Sequence, residues 1–155
     1  MFEISSAGEF GTISGFRLGK HTTIDIKWEE CNAALGQVAY LLCVLAHRFQ
    51  YKFDKHFLYL RGSFSTIAYR QNAKDEFPLF MGQGDSNFNS ALEMLLDTIK
   101  RFLAELQRSR PELEKVLRIK SSDITNDHIK SSTVKFSKDN EEEWSQACKY
   151  MLIAL

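Results

Sequence analysis

Residue types able to do chemistry are sparse in this chain, and the one arrangement that invites a mechanism is Gly84-Asp85-Ser86-Asn87. It falls between a short apolar segment, Phe77–Met81, and a long helical pattern, the setting in which some esterases hold a nucleophilic serine. Serine attack needs a histidine base, a group that orients it, and donors for the developing oxyanion. His128 follows Asp127 in a polar loop, with no spacing that links the pair to Ser86. The stretch Gly11-Thr12-Ile13-Ser14-Gly15 misses the Gly-x-Ser-x-Gly elbow by one position. Asp85-Ser86-Asn87 is therefore read as a turn and helix cap. A small serine hydrolase centred on Ser86 is kept as the enzymatic alternative.

The remaining candidates argue against bound metals and nucleotides. His21, His47, His56 and His128 are scattered, without carboxylate or cysteine at ligand spacing. Cys31, Cys43 and Cys148 match neither a disulfide framework nor a zinc pattern, and their placement in apolar runs suggests free thiols in a reducing, cytoplasmic setting. Gly82-Gln83-Gly84 has too few glycines and no lysine for a phosphate-cradling loop. No cofactor is expected.

Surface contact is the other class of function. Twenty basic and twenty acidic residues cancel, which speaks against nucleic acid as a partner. Locally, Arg48, Lys52, Lys55, Arg61, Arg70 and Lys74 face the single acid Asp54, so a basic hairpin could meet an anionic membrane surface. The competing reading is a solvated hairpin whose charges protect an edge strand. Most of the twelve phenylalanines fall where periodicity turns them inward, Phe16, Phe53, Phe57, Phe88 and Phe102 among them. Phe77 and Phe80 are the aromatics expected to serve as contacts, with Lys52, Lys55 and Arg61 as the cations.

These residues need a scaffold, and the chain is long enough, at 155 residues, to bury one sizeable core. Strands are expected at Phe2–Ser6 and Gly11–Leu18, with Ile24, Ile26 and Trp28 alternating before a helix from about Glu29 to Arg48. Its uncharged run, Cys31 to Ala46, is shorter than the roughly 20 residues a membrane span needs and reads as a core helix wrapped on nearly all sides. Lys52–Arg61 and Phe64–Arg70 are expected as strands around Gly62-Ser63, with Phe77–Met81 as a third.

Phe88, Ala91, Leu92, Leu95, Leu96, Ile99, Phe102, Leu103 and Leu106 then mark one face of a helix stopped by Pro111. Lys115–Lys120 and Thr133–Ser137 are expected as strands around a polar loop, before a helix from about Asp139 carrying Trp144, Ala147, Cys148, Met151 and Leu152. The expected fold class is thus α/β (α+β): one domain, 1–155, of three sheet-plus-helix units at about 2–48, 52–110 and 115–155. The first strand beginning at residue 2 and the helical pattern running to the last residues suggest an excised domain. No basic-then-apolar leader is visible in Met1-Phe2-Glu3-Ile4.

Several motifs in order resemble the C-terminal globular domain of the Beclin family of autophagy proteins. They are Gly8-Glu9-Phe10-Gly11-Thr12-Ile13-Ser14-Gly15-Phe16-Arg17-Leu18-Gly19, Asn32-Ala33-Ala34-Leu35-Gly36-Gln37, Gly62-Ser63-Phe64-Ser65-Thr66-Ile67, Phe77-Pro78-Leu79-Phe80, Asn87-Phe88-Asn89-Ser90-Ala91-Leu92 and Glu142-Glu143-Trp144 with Ala147-Cys148-Lys149-Tyr150-Met151-Leu152. The resemblance implies three β-sheet–helix repeats and a non-catalytic, regulatory role at the membrane-facing end of a class III phosphatidylinositol 3-kinase complex. Implied partners are that kinase, its pseudokinase-like scaffold and a coiled-coil autophagy or sorting subunit. The implied location is cytoplasmic and peripheral to autophagosome precursors and endosomes. Animal relatives carry a membrane-inserting aromatic triplet before the second helix. Here that connection is Gly82-Gln83-Gly84-Asp85-Ser86-Asn87, without an aromatic residue, and the last helix stops at Leu155, short of the family's aromatic-rich end. A protein-binding module without membrane contact is the second alternative.

Overall fold

The computed structural model describes residues 3–7, 10–21, 24–81, 87–112, 117, 119–125, 127–130, 132–136 and 140–154. Among them, three antiparallel sheets each precede a helix. The first sheet joins β1 (Ile4–Ala7), β2 (Phe10–Ile13) and β3 (Phe16–Leu18), and α1 spans Trp28–Arg48. β4 (His56–Tyr59), β5 (Thr66–Tyr69) and β6 (Asn72–Pro78) form the second sheet before α2 (Asn87–Ser109). The third is a two-residue ladder of β7 (His128–Ile129) with β8 (Ser132–Thr133), before α3 (Glu141–Ala154).

The strands differ from the periodicity reading in instructive ways. Gly11–Leu18 is not one strand but a hairpin, with Ile13 opposite Phe16. Ser14 and Gly15 between them both have positive φ, the signature of a type I′ turn whose twist matches the flanking strands. Ile24 to Trp28 forms no strand: Ile26 is buried, Ile24 is exposed and Trp28 already opens α1.

In the second unit, strand pairing covers only four residues of Lys52–Arg61 and four of Phe64–Arg70. Gly62–Phe64 turns into a single 3-10 turn. The third strand lies earlier than Phe77–Met81, because β6 starts at Asn72 straight after the Arg70-Gln71 turn. The described part of Lys115–Lys120 is not strand, and β8 ends at Thr133. The polar loop supplies the third sheet itself.

The helices follow their sequence signals closely. α2 buries one continuous stripe from Phe88 to Leu106 and ends at Ser109, two residues before Pro111. Glu29 and Glu30 begin α1 and His47 and Arg48 close it, while Glu141, Glu142 and Glu143 begin α3, each suited to the helix dipole. α1 is less enclosed than its composition predicts, since Tyr40 is 51% and Val44 38% exposed one turn apart.

The helices meet at their starts. Trp28 of α1, Phe88 of α2 and Trp144 of α3 pack with Phe136 into one aromatic cluster, with ring centroids 4.9 to 6.4 Å apart. Trp144 is fully buried and its indole N–H donates to the Val134 carbonyl at 3.1 Å, so no polar atom is stranded.

Around this cluster runs a closed ring of side-chain clamps. Asn32 of α1 donates to the Met81 carbonyl at 3.2 Å and accepts from the Met81 N–H at 2.8 Å, holding the chain that leads toward α2. Asn89 of α2 does the same to Phe136, at 3.1 and 2.7 Å, ahead of α3. Ser145 of α3 accepts from the Lys20 N–H at 2.7 Å and donates to the Lys20 carbonyl at 2.8 Å, ahead of α1. Each helix thus fixes the backbone entering another unit, satisfying polar groups that a buried segment must pair.

Candidate functional site

The second sheet carries the candidate contacts, and its pleat sorts them. Along β4, His56 and Leu58 are buried while Phe57 is 39% exposed and Tyr59 half-buried. The inner face packs on α2: the His56 ring lies 5.2 Å from Tyr69, and Tyr69 meets Phe77 edge-on at 6.3 Å. Phe77, expected as a contact, is therefore half-buried against its own sheet.

The outer face carries a ladder of alternating charge and ring. Arg70 lies over Phe57 at 5.4 Å, Phe57 meets Tyr59 at 4.9 Å, and Arg61 lies over Tyr59 at 5.1 Å. Phe57 thus faces outward, contrary to its expected inward place, because β4 is buried on the alternate positions only. Phe16, also expected inside, is 38% exposed because it directly follows the Ser14-Gly15 turn, at the open end of the face it shares with buried Ile13 and Leu18. Phe53 is half-buried, whereas Phe88 and Phe102 lie in the core.

The expected cations do not converge. Lys52 and Lys55 lie before β4, and Arg61 lies beyond its far end, about 10 Å or more along the strand. Arg61 donates to Glu76 at 2.5 Å, and the Glu76 carboxyl is held below its ordinary pKa first by that bond and then by the Thr66 hydroxyl. Lys55 sits 3.8 Å from Asp97, which also accepts from Arg101 at 3.0 Å. Lys52 edges a basin of about 710 Å³ between the C-terminal ends of α1 and α2, beside Phe49, Tyr51, Phe102 and Arg110.

At the Arg61 end the exposed surface is apolar. Phe64 is 66% exposed, Leu60 is 44% exposed, and Phe80 meets Phe64 edge-on at 5.4 Å. Periodicity gave no notice of Phe64, because it lies in the 3-10 turn where neither strand nor helix alternation applies. Its one sequence signal is an aromatic residue directly after Gly62-Ser63.

Ser86 lies outside the described residues. His128 Nδ1 is 2.7 Å from Asp127, whose carboxyl is held below its ordinary pKa chiefly by that bond. Lys135 lies 3.8 Å from the same carboxylate and 3.1 Å from Glu93, so the described surroundings of this pair are an ion-pair network between the third sheet and α2. Burial pushes the thiols of Cys31 and Cys148 up, which disfavours the reactive thiolate. Among the described residues, no group of three or more His, Cys, Asp or Glu side chains could hold a metal ion. No described helix is long and apolar enough to cross a membrane.

Three sheet-plus-helix layers locked around one aromatic cluster, with exposed rings on the middle sheet, define a small α+β domain. Its whole length, residues 1–155, matches the family described as the Apg6 BARA domain, and the chain belongs to that family. It is 32% identical to Beclin-1 of Xenopus tropicalis over 99% of this chain and 37% of that protein. It is 31% identical to a Beclin-1-like protein of Drosophila melanogaster over 99% of this chain and 38% of the relative. With vacuolar protein sorting-associated protein 30 of Kluyveromyces marxianus it shares 30% identity over 97% of this chain and 35% of the relative. The chain thus spans little more than a third of the length of these relatives.

Proposed function

We propose that this chain is a non-catalytic, membrane-targeting domain, built as three sheet-plus-helix units, of a regulatory subunit in a class III phosphatidylinositol 3-kinase complex. It acts in autophagy and in endosomal and vacuolar protein sorting. The observation that carries the reading is the chain-long family match, with Beclin-1 and a vacuolar sorting protein among the relatives. The kinase, its pseudokinase-like scaffold and a coiled-coil subunit are the proposed partners, and the site of action is the cytoplasmic face of membranes. Exposed Phe64 and Leu60, with half-buried Phe80 against the Phe64 ring, offer an apolar edge of the kind that enters a lipid interface or a partner groove. Phe77 is half-buried against Tyr69 of its own sheet, Arg61 stands next to that edge, and Lys52 and Lys55 add positive charge toward an anionic surface from the other end of the sheet.

Deleting residues 1–155 from the full-length parent is expected to leave recovery of the coiled-coil partner intact and to impair autophagic flux. Undiminished flux overturns the reading. Liposome flotation then separates lipid contact from protein contact. Wild type is expected to float with anionic vesicles, and both F64S/F80S and K52Q/K55Q/R61Q to float less. Negligible flotation of all three proteins, with flux still lost on deletion, assigns the surface to a protein partner alone.

A further inference from the structure

We propose that the cleft between Lys55, Arg70 and Arg101 is a binding site for a phosphate monoester dianion. The cleft has a volume of about 280 Å³ and lies where the β5–β6 turn meets the middle of α2, lined by Asp54, Lys55, Tyr69, Arg70, Gln71 and Arg101. Three cations and one acid line it, in a chain whose total charge is zero. Asp54, Lys55 and Arg70 come from the locally basic 48–74 segment, and folding adds Arg101 of α2 to them.

Arg70 is held by uncharged partners, while Lys55 and Arg101 share the carboxylate of Asp97. Arg70 donates through Nε to the Phe53 carbonyl and lies on the Phe57 ring, while its terminal nitrogens meet no acceptor among the described residues. Its backbone N–H donates to Lys55 O at 2.9 Å, locking the turn to the loop that carries Lys55. Arg101 is anchored through Nε to Asp97 at 3.0 Å, which leaves the outer edge of its guanidinium to the cleft. Asp97 lies 3.8 Å from Lys55 and lines the neighbouring hollow under Phe77 and Glu93 rather than this one.

Two guanidinium forks and an ammonium suit a tetrahedral oxyanion with three terminal oxygens, which arginine binds through paired N–H donors. A monoester presents three terminal oxygens and close to two charges at neutral pH, a diester two such oxygens and one charge. Three separate cationic donor groups therefore favour the monoester, with Asp54 and Asp97 offsetting part of their charge. His56, next door, has its pKa lowered first by burial; Asp97, the largest charge effect on it, pulls the other way, and Lys55 and Arg101 add to the lowering. The inference concerns a different face from the Phe64 edge and does not depend on the docking role proposed for it.

The same chemistry has two sources, a free phosphate or the headgroup of a lipid such as phosphatidic acid, and the test has an arm for each. In the first, inorganic phosphate is titrated into the 155-residue chain while backbone amide resonances are followed at constant ionic strength. Saturable shifts are expected around Lys55, Arg70, Gln71 and Arg101, with affinity falling at least about tenfold in R70Q/R101Q and unchanged in K74Q. In the second, the chain is sedimented with vesicles containing phosphatidic acid or an equal charge of phosphatidylglycerol. Preference for phosphatidic acid, lost in R70Q/R101Q, identifies the lipid as the source, while phosphate binding without that preference identifies the free ion. Absent or non-saturable shifts in the wild type, or equal affinity in a folded R70Q/R101Q, overturn the proposal. Because the wild-type titration stands alone, the result holds even where the double variant does not fold.

Discussion

Gly36 of α1 packs directly on the backbone of Gly62: a Cβ built at Gly36 would lie 2.7 Å from the Gly62 carbonyl carbon and closer still to its oxygen. The contact places the 3-10 turn that carries Phe64 against the middle of α1. Backbone cannot step aside as a flexible side chain does, so the fit requires glycine on the helix. Gly62 has φ +58 but open space where its Cβ would stand.

Gly36→Ala is therefore expected to destabilise by about 1–3 kcal/mol or more, as overpacking against an immovable neighbour does. Gly62→Ala should cost only the left-handed backbone penalty, about 1–2 kcal/mol. Urea unfolding midpoints of the two variants check the order. A Gly36→Ala protein as stable as wild type would contradict the close approach.

The clamp ring predicts that three residues distant in sequence behave alike. Asn32→Ala and Asn89→Ala each remove a donor and an acceptor from a part-buried backbone pair, at up to about 1–3 kcal/mol per group left unsatisfied. Ser145→Ala should act in the same direction by freeing the Lys20 backbone. Hydrogen exchange provides the specific readout: faster exchange is expected at Met81 in the first variant, Phe136 in the second and Lys20 in the third.

The aromatic cluster should be the most costly place to cut. Trp144→Ala empties the meeting point of the helices and is expected to lose about 3–5 kcal/mol. Trp144→Phe gives up the bond to Val134 O but keeps part of the packing, so it should cost less. Thermal unfolding of both variants distinguishes a packed cluster from a merely adjacent one.

His56 makes stability depend on pH. It is 2% exposed, bonded at 3.1 Å to Thr98, and flanked by Asp97 and Arg101 on α2, by Asp54 and Lys55 on its own loop, and by Tyr69 on β5. The Thr98 hydroxyl donates to Met94 O at 2.8 Å, so the imidazole Nδ1 carries the proton it shares with Thr98. The folded pKa lies below the ordinary 6.5, so the unfolded chain binds a proton first as pH falls. Stability contributed by neutral His56 is complete above pH 6.5 and is lost as pH drops from there through the lower folded value. The slope is at most about 1.4 kcal/mol per pH unit. Urea midpoints between pH 7.5 and 5.5 should show the slope in wild type and its loss in His56→Gln.

The helices and their burial were legible from sequence because a single stripe decides them. Phe88 to Leu106 can lie on one face only as a helix, and Pro111 and the acidic run at Glu141 mark where helices stop and start. The ordered motifs also led to the family. Strand limits were less legible, since pairing depends on a partner as much as on alternation. Phe136 is held by the Asn89 side chain rather than by a neighbouring strand, and no local pattern encodes that.

The cations show the same division. Lys52, Lys55 and Arg61 are neighbours in sequence, yet β4 carries Arg61 to the opposite end of the sheet from the lysines and pairs it with Glu76. Arg101, 46 positions after Lys55, is brought beside it by the packing of α2 on the sheet. Hydrophobic period is a property of a segment and can be read from it alone. Charge proximity and side-chain clamps such as Asn32 on Met81 are relations between segments, and they come into being only when three separate amphipathic faces close on one interior.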